Sequence, residues 1–325
     1  ASDVYKRQVI SLEADLDFST TLFLPVSNEF KGQFFGNGHK ISNIAIPNIS
    51  YSSGMFASLS GVVVDLVIED AQINPNLAKN NMGIIADTVN QKGRIERCEV
   101  IDSQLIYGGD SVLYIGGIAG KVNGGSLKGC LTRNVQIVAG NYQYTNQSGF
   151  VGGIAGCVDN SGSIEYCGRE EGSLTSWYQG TESSGSYLGG IVGVIYRSTM
   201  NNCWSFKTGD NSDYAKNQKI GSFVGLCSNL KSKNNIIYSG TNAETSSVSR
   251  GTFSNKQQGD DPQVLQKEGQ AYAGRDHPRN GQRGLGAVLH PPLSAPVLRR
   301  PAPAHRHCPR PGRAPQVRRV RRGRE

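Results

Sequence analysis

A five-residue unit, "GGIAG", returns at near-regular intervals along the chain and limits the fold to a small set of stacked architectures. It stands at Gly116–Gly120 and Gly152–Gly156, as "GGIVG" at Gly189–Gly193 and as "GSFVG" at Gly221–Gly225. Degraded copies are "GMFAS" at Gly54–Ser58 and "GIIAD" at Gly83–Asp87. The leading glycines, Gly54, Gly83, Gly116, Gly152, Gly189 and Gly221, lie 29, 33, 36, 37 and 32 residues apart. A phosphate-cradling loop is needed once per site, and a Walker-type loop requires four residues before its Gly-Lys-Ser/Thr ending. Only three separate Gly116 from Gly120, and Lys121 precedes Val122. The unit is therefore a structural turn repeated once per coil.

A second landmark follows each of the first five glycine turns. "VVDLVIEDAQI" begins at Val63, "IERCEVIDSQL" at Ile95, "LKGCLTRNVQI" at Leu127, "IEYCGREEGSL" at Ile164 and "MNNCWSF" at Met200. In register, Leu66, Cys98, Cys130, Cys167 and Cys203 form one column, and Gln72, Gln104 and Gln136 another. Two alternating apolar segments per repeat predict a coil of two or three short strands, each paired with its equivalent at about 4.8 Å per rung. Glycine fits corners that need a positive φ or a close backbone approach. The expected fold is all-β, a right-handed parallel β-solenoid (β-helix) of about six irregular coils. Each coil contacts only its neighbours.

Composition then divides the chain. The formal charge of +8 on 325 residues averages two unlike parts. Residues 271–325 hold 13 Arg, no Lys, two acids, nine of the 13 prolines and four of the five histidines. The remainder is mildly acidic, so specific nucleic-acid binding is not expected of it. The tail reads as a disordered Arg/Pro-rich segment, or an out-of-frame one. No apolar run is long enough to span a membrane. The leader "ASDVYKRQ" reads as non-native, and the chain as part of a longer one. The expected organisation is a leader over 1–8, an opening or capping segment over 9–50, a repeat solenoid over 51–252, and a linker and tail over 253–325.

The seven cysteines include no C-x-x-C pair, so neither zinc nor a redox motif is indicated. Cys98, Cys130, Cys167 and Cys203 read as small apolar residues stacked in the core. Cys157 and Cys227 read as apolar positions of the glycine strand. His39, beside a turn, reads as a structural hydrogen-bonding residue. No metal or cofactor is expected.

The opening stretch "ISLEADLDFSTTLFLPVSNEFKGQFFGNGHKISNIAI" precedes the first glycine unit. With Asp17–Ser19, Phe30–Ile44 and the six glycine copies, the chain resembles the GLUG-motif family of bacterial surface proteins. It is also similar to the stalk of certain immunoglobulin A1 metallopeptidases. The resemblance spans about Leu12 to Thr241. It implies a β-solenoid, an extracellular or cell-surface location and an adhesive or spacer role, with no catalytic residues. The metallopeptidase motif His-Glu-x-x-His is absent.

Two candidate sites follow from the residues. Parallel β-helices also carry polysaccharide lyases and glycoside hydrolases, whose chemistry needs a carboxylate pair. Asp70 and Asp102 align on adjacent rungs and are the catalytic candidates, with Asn134 next; strand-end Asp and Asn bonding their own turn backbone are the alternative. The second candidate is a binding surface. Tyr142 and Tyr144 precede the fourth glycine copy, and Trp177, Tyr178 and Tyr187 the fifth. Exposed aromatics on polar loops suit stacking on sugars or packing on a protein. The expected function is a non-enzymatic adhesion or display module that binds host or matrix glycan or protein, with the polysaccharide enzyme as the alternative.

Overall fold

The computed structural model describes residues 8–46, 52–75, 80–108, 113–140, 149–177, 186–206, 209–211, 218–221, 223–228, 235–241, 248–250 and 255–256. Every regular element in them is a strand, and every strand pairing is parallel. The fold is a parallel β-solenoid.

One coil shows the plan. Ala119–Asn123 (position a) is followed by Ser126–Lys128 (b), Leu131–Arg133 (c), Gln136–Ala139 (d) and Gly149–Gly152 (e). Each strand pairs with its counterpart one coil away, so position a builds an eight-stranded sheet, d a six-stranded one and e a five-stranded one. Positions b and c build two arms of a fifteen-stranded sheet, joined through Thr199–Phe206, which spans both. A coil thus has five short strands where the two apolar landmarks predicted two or three. Eight strands at position a also exceed the six coils counted from the glycines. The difference arises because single-residue corners cut each landmark into pieces too short to show an alternation of their own.

Those corners share one conformation. Between b and c, Asp65, Arg97, Gly129, Tyr166 and Asn202 have φ between 52° and 64°. Between c and d, Asn43, Asp70, Asp102, Asn134 and Glu171 have φ between 47° and 58°. A left-handed residue turns the chain sharply and aims its own N–H at the next rung, as in Arg97 N to Lys128 O at 2.8 Å and Asp102 N to Arg133 O at 3.0 Å. The residue after the corner then points inward. Leu66, Cys98, Cys130, Cys167 and Cys203 fill that place and are all buried. Their thiols donate to the carbonyl two residues back, as Cys98 Sγ does to Glu96 O at 3.3 Å and Cys203 Sγ to Asn201 O at 3.2 Å. Ser103 Oγ does the same to Ile101 O at 2.6 Å after Asp102. Burial pushes the Cys98 and Cys167 thiols well up and the Cys203 thiol up to about 12. The column is apolar packing with a weak backbone bond, and its thiols are free.

The glycine unit works by close approach, not by positive φ. None of its leading glycines has a left-handed φ. At the e-to-a fold-back, a Cβ on Gly116 would lie 2.6 Å from Ala155 Cα and 2.7 Å from Gly156 N of the next coil. The first glycine of one unit thus faces the fifth glycine of the next, backbone to backbone. In the degraded copy "GIIAD", Asp87 takes the fifth place beside Ser52–Gly54, where the coil before it has no strand. Its buried carboxylate accepts from Ser52 Oγ at 2.9 Å and from Ser53 N and Gly54 N at 3.0 Å each.

The segment before the glycine copies belongs to the same sheets. β1 (Val9–Ser11) and β4 (Gln33–Phe35) are b strands, and β2 (Leu16–Asp17) and β5 (Lys40–Ser42) are c strands. β3 (Val26–Phe30) is an a strand and β6 (Ala45–Ile46) a d strand. The core runs through all coils as columns, for example Phe34, Val63, Ile95, Leu127, Ile164 and Met200. A long charged side chain is buried as well: Arg169 is 1% exposed, and a Cβ on Gly153 would lie 3.2 Å from its Cγ, so Gly153 leaves the room it occupies. Ala1–His277 forms one unit; of the linker and tail expected over 253–325, Asn255–Lys256 pairs as a short strand with Asn235–Thr241, and the rest lies outside the described residues.

Candidate functional site

Asp70 and Asp102 stand on adjacent rungs as the repeat alignment places them, and both are exposed. Their position is the left-handed corner between c and d, a place where Asp and Asn are several-fold enriched because their short polar side chains tolerate it. Asp102 Oδ1 accepts a hydrogen bond from Asn134 Nδ2 at 2.6 Å. At the first of these corners, Asn43 Nδ2 donates to Asp17 Oδ1 at 2.8 Å. At the Asp102–Asn134 step a carboxamide beside the carboxylate takes the place of a like-charge contact. Glu171, the next residue of the column, shares the same φ. His39 Nδ1 lies 3.1 Å from Asp15 Oδ1, which also accepts Lys40 N at 2.9 Å. That backbone bond, more than His39, holds the Asp15 carboxyl below its ordinary value. Among the described residues, no group of three or more His, Cys, Asp or Glu could hold a metal ion.

The aromatic surface does not assemble as expected. Tyr187 is not on a loop: it sits in the e strand Ser186–Gly189 and is buried. There it stacks on Phe150, with ring centroids 5.4 Å apart and planes 4° off parallel, and Phe150 meets Tyr114 at 5.3 Å. Parallel in-register pairing imposes this, because Tyr114, Phe150 and Tyr187 share one outward column of e. The fold-back presses that column onto Cys157 and Val194 of position a and forms a second apolar cluster. Cys157 is an apolar position of the glycine strand, as read, and burial pushes its thiol up to about 12. Lys121 Nζ stands 5.8 Å from the Tyr114 ring centroid and closes one end. The ring faces are thus occupied within the protein. Trp177 is half-buried, and its backbone N–H donates to Ala139 O at 2.8 Å. Tyr142, Tyr144 and Tyr178 lie outside the described residues.

A third constellation escaped the sequence reading. On the outer face of c, one column runs Glu99, Leu131, Gly168 and Trp204, and a second runs Ile101, Arg133 and Glu170. Arg133 Nη1 lies 3.1 Å from Glu99 Oε1, and its Nε 3.2 Å from Glu170 Oε2. Burial raises the Glu99 carboxyl above its ordinary value; Arg133 opposes this and the Glu170 charge adds to it. A carboxyl disposed to hold a proton beside a guanidinium and a second carboxylate has the parts of a general acid or base. Trp204 lies flat over Gly168, two residues from Glu170 on the same strand position. Glu99 lies one residue past Cys98, and Arg133 and Glu170 three past Cys130 and Cys167, so bringing them together needs the true register of c. The chain matches no family model, and comparison with curated proteins finds no match.

Proposed function

We propose that the chain is a non-enzymatic solenoid module of a cell-surface or secreted bacterial protein, which displays one edge to glycan or protein partners. The corner role of Asp70 and Asp102 supports this reading most: residues selected for a left-handed turn need no substrate to explain them. The connections from d to e add to it. Because both sheets are in register, every such connection starts and ends at the same edge. These connections run from five to nine residues between strands of two to four, as expected of loops that carry recognition on a fixed scaffold. The resemblance to GLUG-motif proteins supports the location.

The polysaccharide-enzyme reading is favoured by a different observation, the raised Glu99 carboxyl beside Arg133 and Glu170. One screen separates the two. The protein is tested on a glycan array and for depolymerisation of polysaccharides, beside Asp70→Ala/Asp102→Ala, Glu99→Gln and a Tyr142→Ala/Tyr144→Ala/Tyr178→Ala variant. The display module predicts binding without new chain ends, lost only in the tyrosine variant. New reducing or unsaturated ends that vanish in Glu99→Gln would replace it with an enzyme.

A further inference from the structure

Six cysteines lie among the described residues, and all six are free and buried. Four of them form one column. Register pairs Glu96, Lys128, Glu165 and Asn201 on one side of it, and Glu99, Leu131, Gly168 and Trp204 on the other. Cys98, Cys130, Cys167 and Cys203 therefore face one another on four consecutive rungs. Leu66 precedes them and Ser239 follows, which closes the column at four. The other two stand apart: Cys157 has Lys121 and Val194 for neighbours, and Cys227 has Ile195. Distance then selects partners. In-register parallel strands hold neighbouring Cα atoms about 4.8 Å apart, inside the range of roughly 4.4 to 6.8 Å that a disulfide spans. The next thiol but one lies about 9.6 Å away on that spacing, beyond reach. Each thiol is turned to the carbonyl two residues back, at 3.3 Å for Cys98, 3.6 Å for Cys130, 3.4 Å for Cys167 and 3.2 Å for Cys203. Pairing asks for side-chain rotation between rungs already at the right separation. Burial keeps an oxidant out of the closed stack, so pairing belongs to the stage when rungs assemble or open.

We infer that the column is a disulfide-forming site, which closes as Cys98–Cys130 and Cys167–Cys203 when the chain folds beside a small disulfide such as oxidised glutathione. The thiolate of one cysteine attacks the oxidant's S–S bond; a mixed disulfide forms and one glutathione thiolate leaves. The neighbouring thiolate then attacks the protein sulfur of that mixed disulfide, so the inter-rung S–S bond forms and the second glutathione leaves. Two protein thiols are oxidised, one glutathione disulfide is reduced, and the two protons pass to the departing glutathiones. A first bond between Cys130 and Cys167 strands Cys98 and Cys203. Exchange carries it on to the two-bond state, which leaves no thiol of the column over. Each bond adds a covalent staple to coils that otherwise meet only through packing and backbone hydrogen bonds. That the chain meets such an oxidant rests on the extracellular reading proposed above; the choice of partners does not.

The full chain, reduced and unfolded in urea, is refolded with reduced and oxidised glutathione. Free thiols are then alkylated, and peptides cut after Lys, Arg and Glu are identified by mass. Cys98–Cys130 and Cys167–Cys203 should be linked and Cys157 and Cys227 alkylated. The urea midpoint should rise above that of a sample refolded without oxidant. Cys98→Ser/Cys167→Ser leaves column thiols two rungs apart and should form no bond between them. Serine suits the place, since Ser103 makes the same carbonyl bond after the next corner, so the variant should keep the circular dichroism of the native chain. A bond from the column to Cys157, Cys227 or Cys308 would overturn the inference, as would Cys130–Cys203 in the variant or Cys130–Cys167 as the final product. A column left fully alkylated, or a β-sheet spectrum recovered only without the oxidant, would reduce the four thiols to packing and overturn it too.

Discussion

Two glycines with different reasons to be glycine make the clearest comparison among single residues. Gly116 is fixed by space: its missing Cβ would meet backbone atoms of the neighbouring coil, which cannot turn aside. Gly38 is fixed by conformation: its φ is 77°, yet nothing lies within 4 Å of a Cβ there. Gly116→Ala should therefore destabilise by about 3 kcal/mol, the upper end of overpacking costs. Gly38→Ala should cost only the left-handed strain of about 1 kcal/mol. Urea unfolding with unchanged m-values measures both; equal losses would show that the fold-back adjusts to a methyl group. The corner residues obey the second rule. Asp102→Asn keeps a side chain suited to φ 47° and should change stability by less than about 0.5 kcal/mol. Asp102→Val places a β-branched residue there and should cost about 1 to 2 kcal/mol. If the two variants were equally stable, the corner would not be what selects the residue.

At the level of strands and coils, much was readable and the failures have a common cause. The glycine spacing implies stacked coils, and the Gln and Val63–Met200 columns of the sequence are the registered columns of the sheets. What could not be read was anything that depends on the face of a three-residue strand. Tyr187 was placed on a loop because the residues before it, Ser183 to Gly185, look like one, whereas its column is set by Phe150 one coil below. Glu99, Arg133 and Glu170 come from three coils and meet only once the c register is known. Asp15, Asp17 and Glu29 illustrate what short strands leave to side chains: Asp15 holds Lys40 N, Asp17 holds Asn43 and Ser19, and Glu29 pairs with Lys31 and with Ser60. Each has a lowered carboxyl pKa, from the Lys40 backbone bond, the Asn43 bond and the Lys31 bond respectively. A depressed carboxyl contributes stability that is present above its ordinary value, 3.8 for Asp and 4.5 for Glu, and is lost as pH falls through the lowered one. Glu99 has the opposite sign: its raised value favours the folded state at low pH and withdraws that contribution as pH rises through it. Hydrogen exchange at pH 3 against pH 6 should then show the Val9–Ile46 rungs opening first, while the c strand Glu99–Ile101 keeps its protection. Uniform loss across both would disprove a local acid trigger.

Across the solenoid, coupling passes only from coil to coil, so the cost of a defect depends on where it lies. Leu127 and Phe34 occupy the same interior column, three strands apart along b, and both are buried. Truncating either should remove about 2 to 5 kcal/mol from its own coil. The consequences differ. Phe34→Ala, near the Val9 end, weakens rungs that have few neighbours to support, and the remaining coils should unfold at an unchanged denaturant midpoint. Leu127→Ala, with coils on both sides, interrupts the stack and should split one cooperative transition into two, since nearest-neighbour terms no longer bridge the middle. Hydrogen exchange followed through the urea transition distinguishes the flanks: Val63 and Met200 should lose protection together in the intact protein and separately in Leu127→Ala. If they stay coupled in that variant, something other than rung-to-rung packing carries the cooperativity, and Arg169 would be the first place to look, because at 1% exposure it is the largest fully buried side chain among the described residues.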